Sequence, residues 1–256
     1  MRRGWMAMVA AAGITAASVA GPAHAAPSPV GVITEVVNAP GLLPSPLPDE
    51  IQDVFDEVAA CTDPAYSLEG WRESSIHRWR FNARSTPAGL SVTQVRTALL
   101  QATSAITGAT NSCGMADNVS ARASFDGDTS TGTNINSSGS CGSRDGISVT
   151  GFGKLPSGAL AVACVWYSTA SRPYEVVESD VKLNRNYAWF TTRPVPCADR
   201  YDIQSVVAHE RGHTFGLGHV SEADHAGQTM STQGRPCSIS ERTLGQGDVL
   251  GLEALY

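Results

Sequence analysis

The sequence predicts an α/β protein, and three observations predict it. Ile76-His77-Arg78-Trp79-Arg80-Phe81-Asn82 alternates as a strand should. Residues 87–107 place Val92, Val95, Leu99 and Ile106 at helical spacing. Late in the chain, residues 209–219 read H-E-x-x-H-x-x-G-x-x-H, whose first five positions fit one face of a helix.

The elements follow in order. Residues 1–26 read as a secretory signal: Arg2 and Arg3 begin it, an apolar run follows to about Val19, and Ala23-His24-Ala25 supplies a small-x-small cleavage site. Residues 27–48 are rich in Pro and Gly and read as linker. Residues 49–60 form an amphipathic helix with Ile51, Val54, Phe55 and Val58 on one side. The whole of residues 27–70 is either a removable pro-segment or part of the mature unit. Residues 76–82 are the first strand, with His77 expected on its surface. Residues 87–107 are a long helix and residues 119–125 a second strand. Residues 126–145 are polar and read as a surface loop, whose Asp126, Asp128, Asn134 and Asp145 could offer oxygens to Ca2+, although a plain solvated loop explains them as well. Residues 146–152 are the third strand, residues 158–164 a small apolar run, and residues 176–183 a further strand. Asp199 or Asp202 caps the histidine helix, and residues 244–256 make a last helix.

Composition narrows the function. The formal net charge is −6, and no basic patch suggests nucleic acid. No stretch beyond the signal is long and apolar enough to span a bilayer. All six Cys lie after residue 26, so an exported chain should hold three disulfides, with fifteen connectivities open. Cys197–Cys237 is favoured, because the two flank the histidine helix and the segment after it.

The chemistry concentrates in residues 209–219. His209 and His213, four apart on a helix, can present two imidazoles to one metal ion. Gly216 lets the backbone turn out of the helix, so that His219 returns as a third ligand. Three protein ligands leave a fourth position for water, the arrangement of a catalytic Zn2+. Glu210 can lean toward that water as general base.

This motif resembles that of the metzincin zinc endopeptidases, and the chain is most similar to their matrixin-like members of the secreted bacterial type. The resemblance covers about residues 71–256. It implies a twisted, mostly parallel five-stranded sheet with an antiparallel edge strand, a backing helix, the zinc helix, and a small C-terminal subdomain with a Met-turn and final helix. Met230 is the only Met after His219 and the candidate for the Met-turn. Residues 158–163 resemble the G-x-L-A-x-A edge strand that pairs antiparallel with bound peptide, making Leu160 and Ala161 candidate substrate contacts. Asp180 with Trp189 resembles the stretch that follows that strand. The tail resembles D-D-x-x-G-I-x-x-L-Y, but the first Asp is Gly247 here and only Asp248 remains. No P-R-C-G-x-P-D latency motif occurs, and the polar loop lacks the His needed for a structural zinc.

The resemblance implies a secreted, monomeric zinc endopeptidase acting on protein or peptide substrates, with neither nucleic acid nor membrane as partner. The alternatives are a non-catalytic secreted zinc module that binds protein, against which Glu210 argues, and another H-E-x-x-H hydrolase, against which Gly216 and His219 argue.

Overall fold

Residues 30–40 and 48–256 are described by a computed structural model; the expected signal at 1–26 lies outside the described residues. The elements run β1 (Val30–Asn38), α1 (Asp49–Ala60), β2 (Ser67–Leu68), β3 (Trp71–Arg72), β4 (Ile76–Phe81), α2 (Val92–Thr107), β5 (Arg122–Asp128), β6 (Ser148–Gly153), β7 (Ala159–Ser168) and β8 (Tyr174–Asn184). After these come β9 (Ala188–Phe190), β10 (Arg200–Asp202), α3 (Ile203–Thr214), β11 (Leu217–Gly218), α4 (Glu222–His225) and α5 (Gln246–Leu255).

The main sheet has the order β1-β7-β8-β6-β4-β5, with β3 beside β8. Pairs β8–β6, β6–β4, β4–β5 and β3–β8 are parallel; β1–β7 and β7–β8 are antiparallel. The sheet is therefore mostly parallel, as expected, but it has seven strands rather than five. The two added strands are β3 and, at the outer edge, β1, the latter in a stretch expected to be linker. Its β-branched run Val30-Gly31-Val32-Ile33-Thr34-Glu35-Val36-Val37 suits a strand, and the Pro and Gly that suggest a linker flank it. One consequence corrects a second expectation: β7, which carries Leu160 and Ala161, is not an open edge, because β1 covers it along its length.

Helix α2 begins at Val92, later than expected, because the side chain of Ser91 accepts from the N–H of Gln94 and sets the cap there. It packs with α3 on one face of the sheet, where Val95, Leu99, Val206 and Val207 share a core with Leu160 and Val181. Each such fully buried aliphatic contributes roughly 1.5–3 kcal/mol. A second core beneath α3 joins Phe215, Leu217 and Met230 to Val249 and Leu252 of α5.

The disulfides are Cys61–Cys113, Cys141–Cys164 and the expected Cys197–Cys237. They are consistent with an oxidising, extracellular setting. Among the described residues, no helix is long and apolar enough to cross a membrane.

Candidate metal centre

Helix α3 is anchored at both ends. Asp202, not Asp199, is its cap: the carboxylate accepts from the N–H of Ser205 at 2.9 Å and pairs with Arg242 at 2.6 Å. At the other end Gly216 sits at φ +96°, and a Cβ there would collide with the carbonyl oxygen of Trp71. The chain can turn and approach that backbone only as glycine. His219 is returned to the helix by this turn.

The three imidazoles converge. Nε2 of His209 lies 3.0 Å from Nε2 of His219, and Nε2 of His213 lies 3.1 Å from each of the other two. On the far side of each ring a partner fixes the tautomer. Nδ1 of His209 donates to the carbonyl of Thr229 at 2.8 Å, and Nδ1 of His213 donates to that of Leu217 at 2.9 Å. Nδ1 of His219 faces Oε2 of Glu35 at 3.4 Å. The Nε2 atoms are thus left as bare acceptors facing one another, an arrangement that a cation between them relieves. Tetrahedral ligands about 2.05 Å from a zinc ion lie about 3.3 Å apart, close to the spacing here. The residues fit the ion. Burial holds all three imidazoles below the usual range, His209 at about 3, with the neighbouring rings adding to the effect for His209 and His213.

Glu210 is fully buried beside this tripod, and burial pushes its carboxyl well above the usual range. It faces the backbone amides of Val37 and Ala163, yet neither oxygen has a partner at full hydrogen-bond geometry. A buried carboxylate left short of partners is costly, and one aimed at a reaction centre is a familiar reason to keep it so.

Met230 lies directly beneath α3. A Cβ on Gly212 would run into its Sδ, which explains a glycine inside the helix. The turn at Gln228–Ser231 is held by Asp248, which accepts from the N–H of Thr229 at 2.8 Å, Met230 at 3.3 Å and Gly245 at 3.0 Å. Burial raises Asp248 to about 6 despite these donors. Position 247 is glycine because the carbonyl of Ala65 fills the place of a side chain.

His225, which follows the motif, stays out of the centre and donates from Nδ1 to Asp63 at 2.8 Å. The four candidate calcium ligands do not gather: Asp126 pairs with Arg78, Asp128 with Arg96, and the amides of Asn134 and Asp145 go to Asp180 and Glu178. Leu160 and Ala161 are fully buried, with Ala161 opposite Val37 of β1. His77 is buried rather than on the surface, paired with Glu73 at 2.9 Å. Its place follows from the alternation of β4, which puts it on the same face as Trp79 and Phe81.

The sequence reading missed three contributors. Arg211, fully buried on the back of α3, reaches Thr150 at 2.6 Å and lies over the Trp79 ring, locking the helix to the sheet. Glu35 and Glu69 form a cluster with His213. Both carboxyls are raised, Glu35 to about 7, in each case chiefly by burial. Nothing in their local sequence marks them, because they reach the centre only through strand pairing from far upstream.

A search of curated proteins found no match. The family model for matrixins, which are zinc metallopeptidases acting on proteins or peptides, matches residues 161–256. That span holds the three histidines, Glu210, Met230 and Asp248, and over it the chain is similar to the matrixins.

Proposed function

We propose that the chain is a secreted zinc-dependent endopeptidase, with zinc held by His209, His213 and His219 and with Glu210 as general base. The observation that carries this reading is the tripod of bare Nε2 atoms beside a buried carboxylate without satisfied oxygens. The chemistry supplied by a zinc ion at that tripod is Lewis-acid activation of water and of a carbonyl. The chain's own residues do the rest. Glu210 takes the proton of the attacking water and returns it to the leaving nitrogen. Thr229 and Leu217 hold their histidines in the ligating tautomer. Met230 forms the floor that keeps α3 in place, and Leu160 and Ala161 line the side of the cleft where a substrate backbone would pair.

The test is Glu210→Gln. The variant should keep wild-type zinc content and lose about 10²–10⁴-fold in turnover of unfolded casein. Wild-type turnover by the variant would remove Glu210 from the mechanism and favour the reading as a non-catalytic binding module.

A further inference from the structure

The cleft beside the metal centre is already filled by this chain. Strand β1 lies antiparallel to β7, with Val37 opposite Ala161 and Glu35 opposite Ala163. That is how an extended peptide adds to an open strand. On its other flank the end of β1 is gripped by the segment after Met230: the N–H of Asn38 donates to Thr232 at 3.1 Å, and the N–H of Gly234 donates to Asn38 at 3.0 Å. A strand held by β7 on one side and by residues 232–234 on the other occupies a slot with two rims.

Position along that slot is set by Val37. Its side chain is 1% exposed and lines a small pocket with Val206, His209 and Gly234 and with the charged Asp202, Arg235 and Glu241. Only about 10 Å³ remains open there, at the lower limit for one water. Its amide faces the Glu210 carboxylate. A base that returns a proton to a leaving nitrogen must face that nitrogen. Of the two amides it faces, Ala163 belongs to the wall strand β7 and Val37 to the strand in the cleft; with Glu35 3.4 Å from His219 and Val37 beside His209, the bond presented is Val36–Val37.

We propose that Val30–Asn38 is a built-in substrate: it fills the peptide cleft in the direction and register of a cleavable chain, Val37 occupies the specificity pocket beside His209, and Val36–Val37 is the first bond cut. The inference rests on the peptidase reading and names its substrate class, an extended segment with a valine-sized aliphatic residue on the amine side of the cut. In the step, a water oxygen adds to the Val36 carbonyl carbon and the C–N bond breaks. The water's proton passes through Glu210 to the Val37 nitrogen, leaving a carboxylate on Val36 and an amine on Val37. Until then β1 excludes outside peptides. The strand lies outside the span matched by the matrixin model.

Two measurements on the full chain test this. The first is amino-terminal sequencing of zinc-loaded wild type and Glu210→Gln during incubation with casein. The expected result is a new amino terminus at Val37 in wild type only, appearing before casein is cut. Casein cleavage by a chain still intact across residues 30–38, or a cut at another bond in that strand, would overturn the proposal and leave the peptidase reading standing. Failure to cut either would instead count against the peptidase reading.

The second measurement does not depend on turnover. A fluorescent peptide with the sequence of residues 30–38 is bound to zinc-loaded Glu210→Gln, with and without Val37→Asp. Ejecting β1 by burying a charge at Val37 should tighten peptide binding at least ten-fold. Asn38→Pro, which removes the donor to Thr232, should do the same if Val37→Asp does not fold. Equal affinity with β1 intact and ejected would overturn the proposal.

Discussion

Gly216, Gly247 and Glu73 each carry a consequence that one substitution exposes. Gly216→Ala forces a Cβ against the Trp71 carbonyl at a φ that L side chains resist. It should lower stability by about 1–3 kcal/mol and weaken zinc binding, since His219 hangs on that turn; thermal unfolding and zinc titration check both. Gly247→Asp, which restores the residue matrixins carry there, should destabilise this chain rather than improve it, because the Ala65 carbonyl fills the site. Overpacking of this kind costs about 1–3 kcal/mol, read as a lower Tm. Glu73 is raised to about 8 by burial first and by Glu175 second. Its folded pKa lies above the unfolded 4.5. The folded state therefore binds more protons between these values, and stability from this group is lost as pH rises from about 4.5 to 8. Glu73→Gln should flatten that fall in Tm across the window; an unchanged slope would show that Glu73 is not its source.

At the scale of elements, α3 and the turn beneath it act together. Asp248 holds three buried amides, and one of them belongs to Thr229, whose carbonyl orients His209. Asp248→Ala should leave those donors unpaired, at about 1–3 kcal/mol each, and should weaken zinc binding as His209 loses its partner. Calorimetric unfolding with and without zinc separates the two effects. What the sequence reveals of these elements follows a physical divide. The histidine motif is legible because helical spacing and one glycine encode the geometry locally. The burial of His77 is missed, because its polarity argues for the surface although it alternates in phase with Trp79 and Phe81. Strand β1 is hidden because the Pro and Gly around it outweigh its β-branched run. Glu35, Glu69 and the role of Arg211 arise only from pairing and packing between distant segments, which no local pattern records.

Over the whole molecule, one core joins the sheet to α2 and α3, and a second, below α3, joins Met230 to α5. Disulfides tie these parts together: Cys61–Cys113 joins the end of α1 to the loop after α2, and Cys197–Cys237 joins the approach to α3 to the segment following the Met230 turn. Loops of 52 and 40 residues closed in this way are worth about 2–4 kcal/mol each. Reduction should therefore lower Tm well before it disturbs the tripod, which no Cys touches. The central claim concerns that tripod, and the most direct measurement is a zinc titration of metal-free chain with cleavage of unfolded casein as the readout. The account predicts no cleavage without metal, activity that rises with added zinc, and saturation at one zinc per chain in wild type but not in His213→Ala. Cleavage by the metal-free chain, or saturation that ignores the loss of His213, would contradict it.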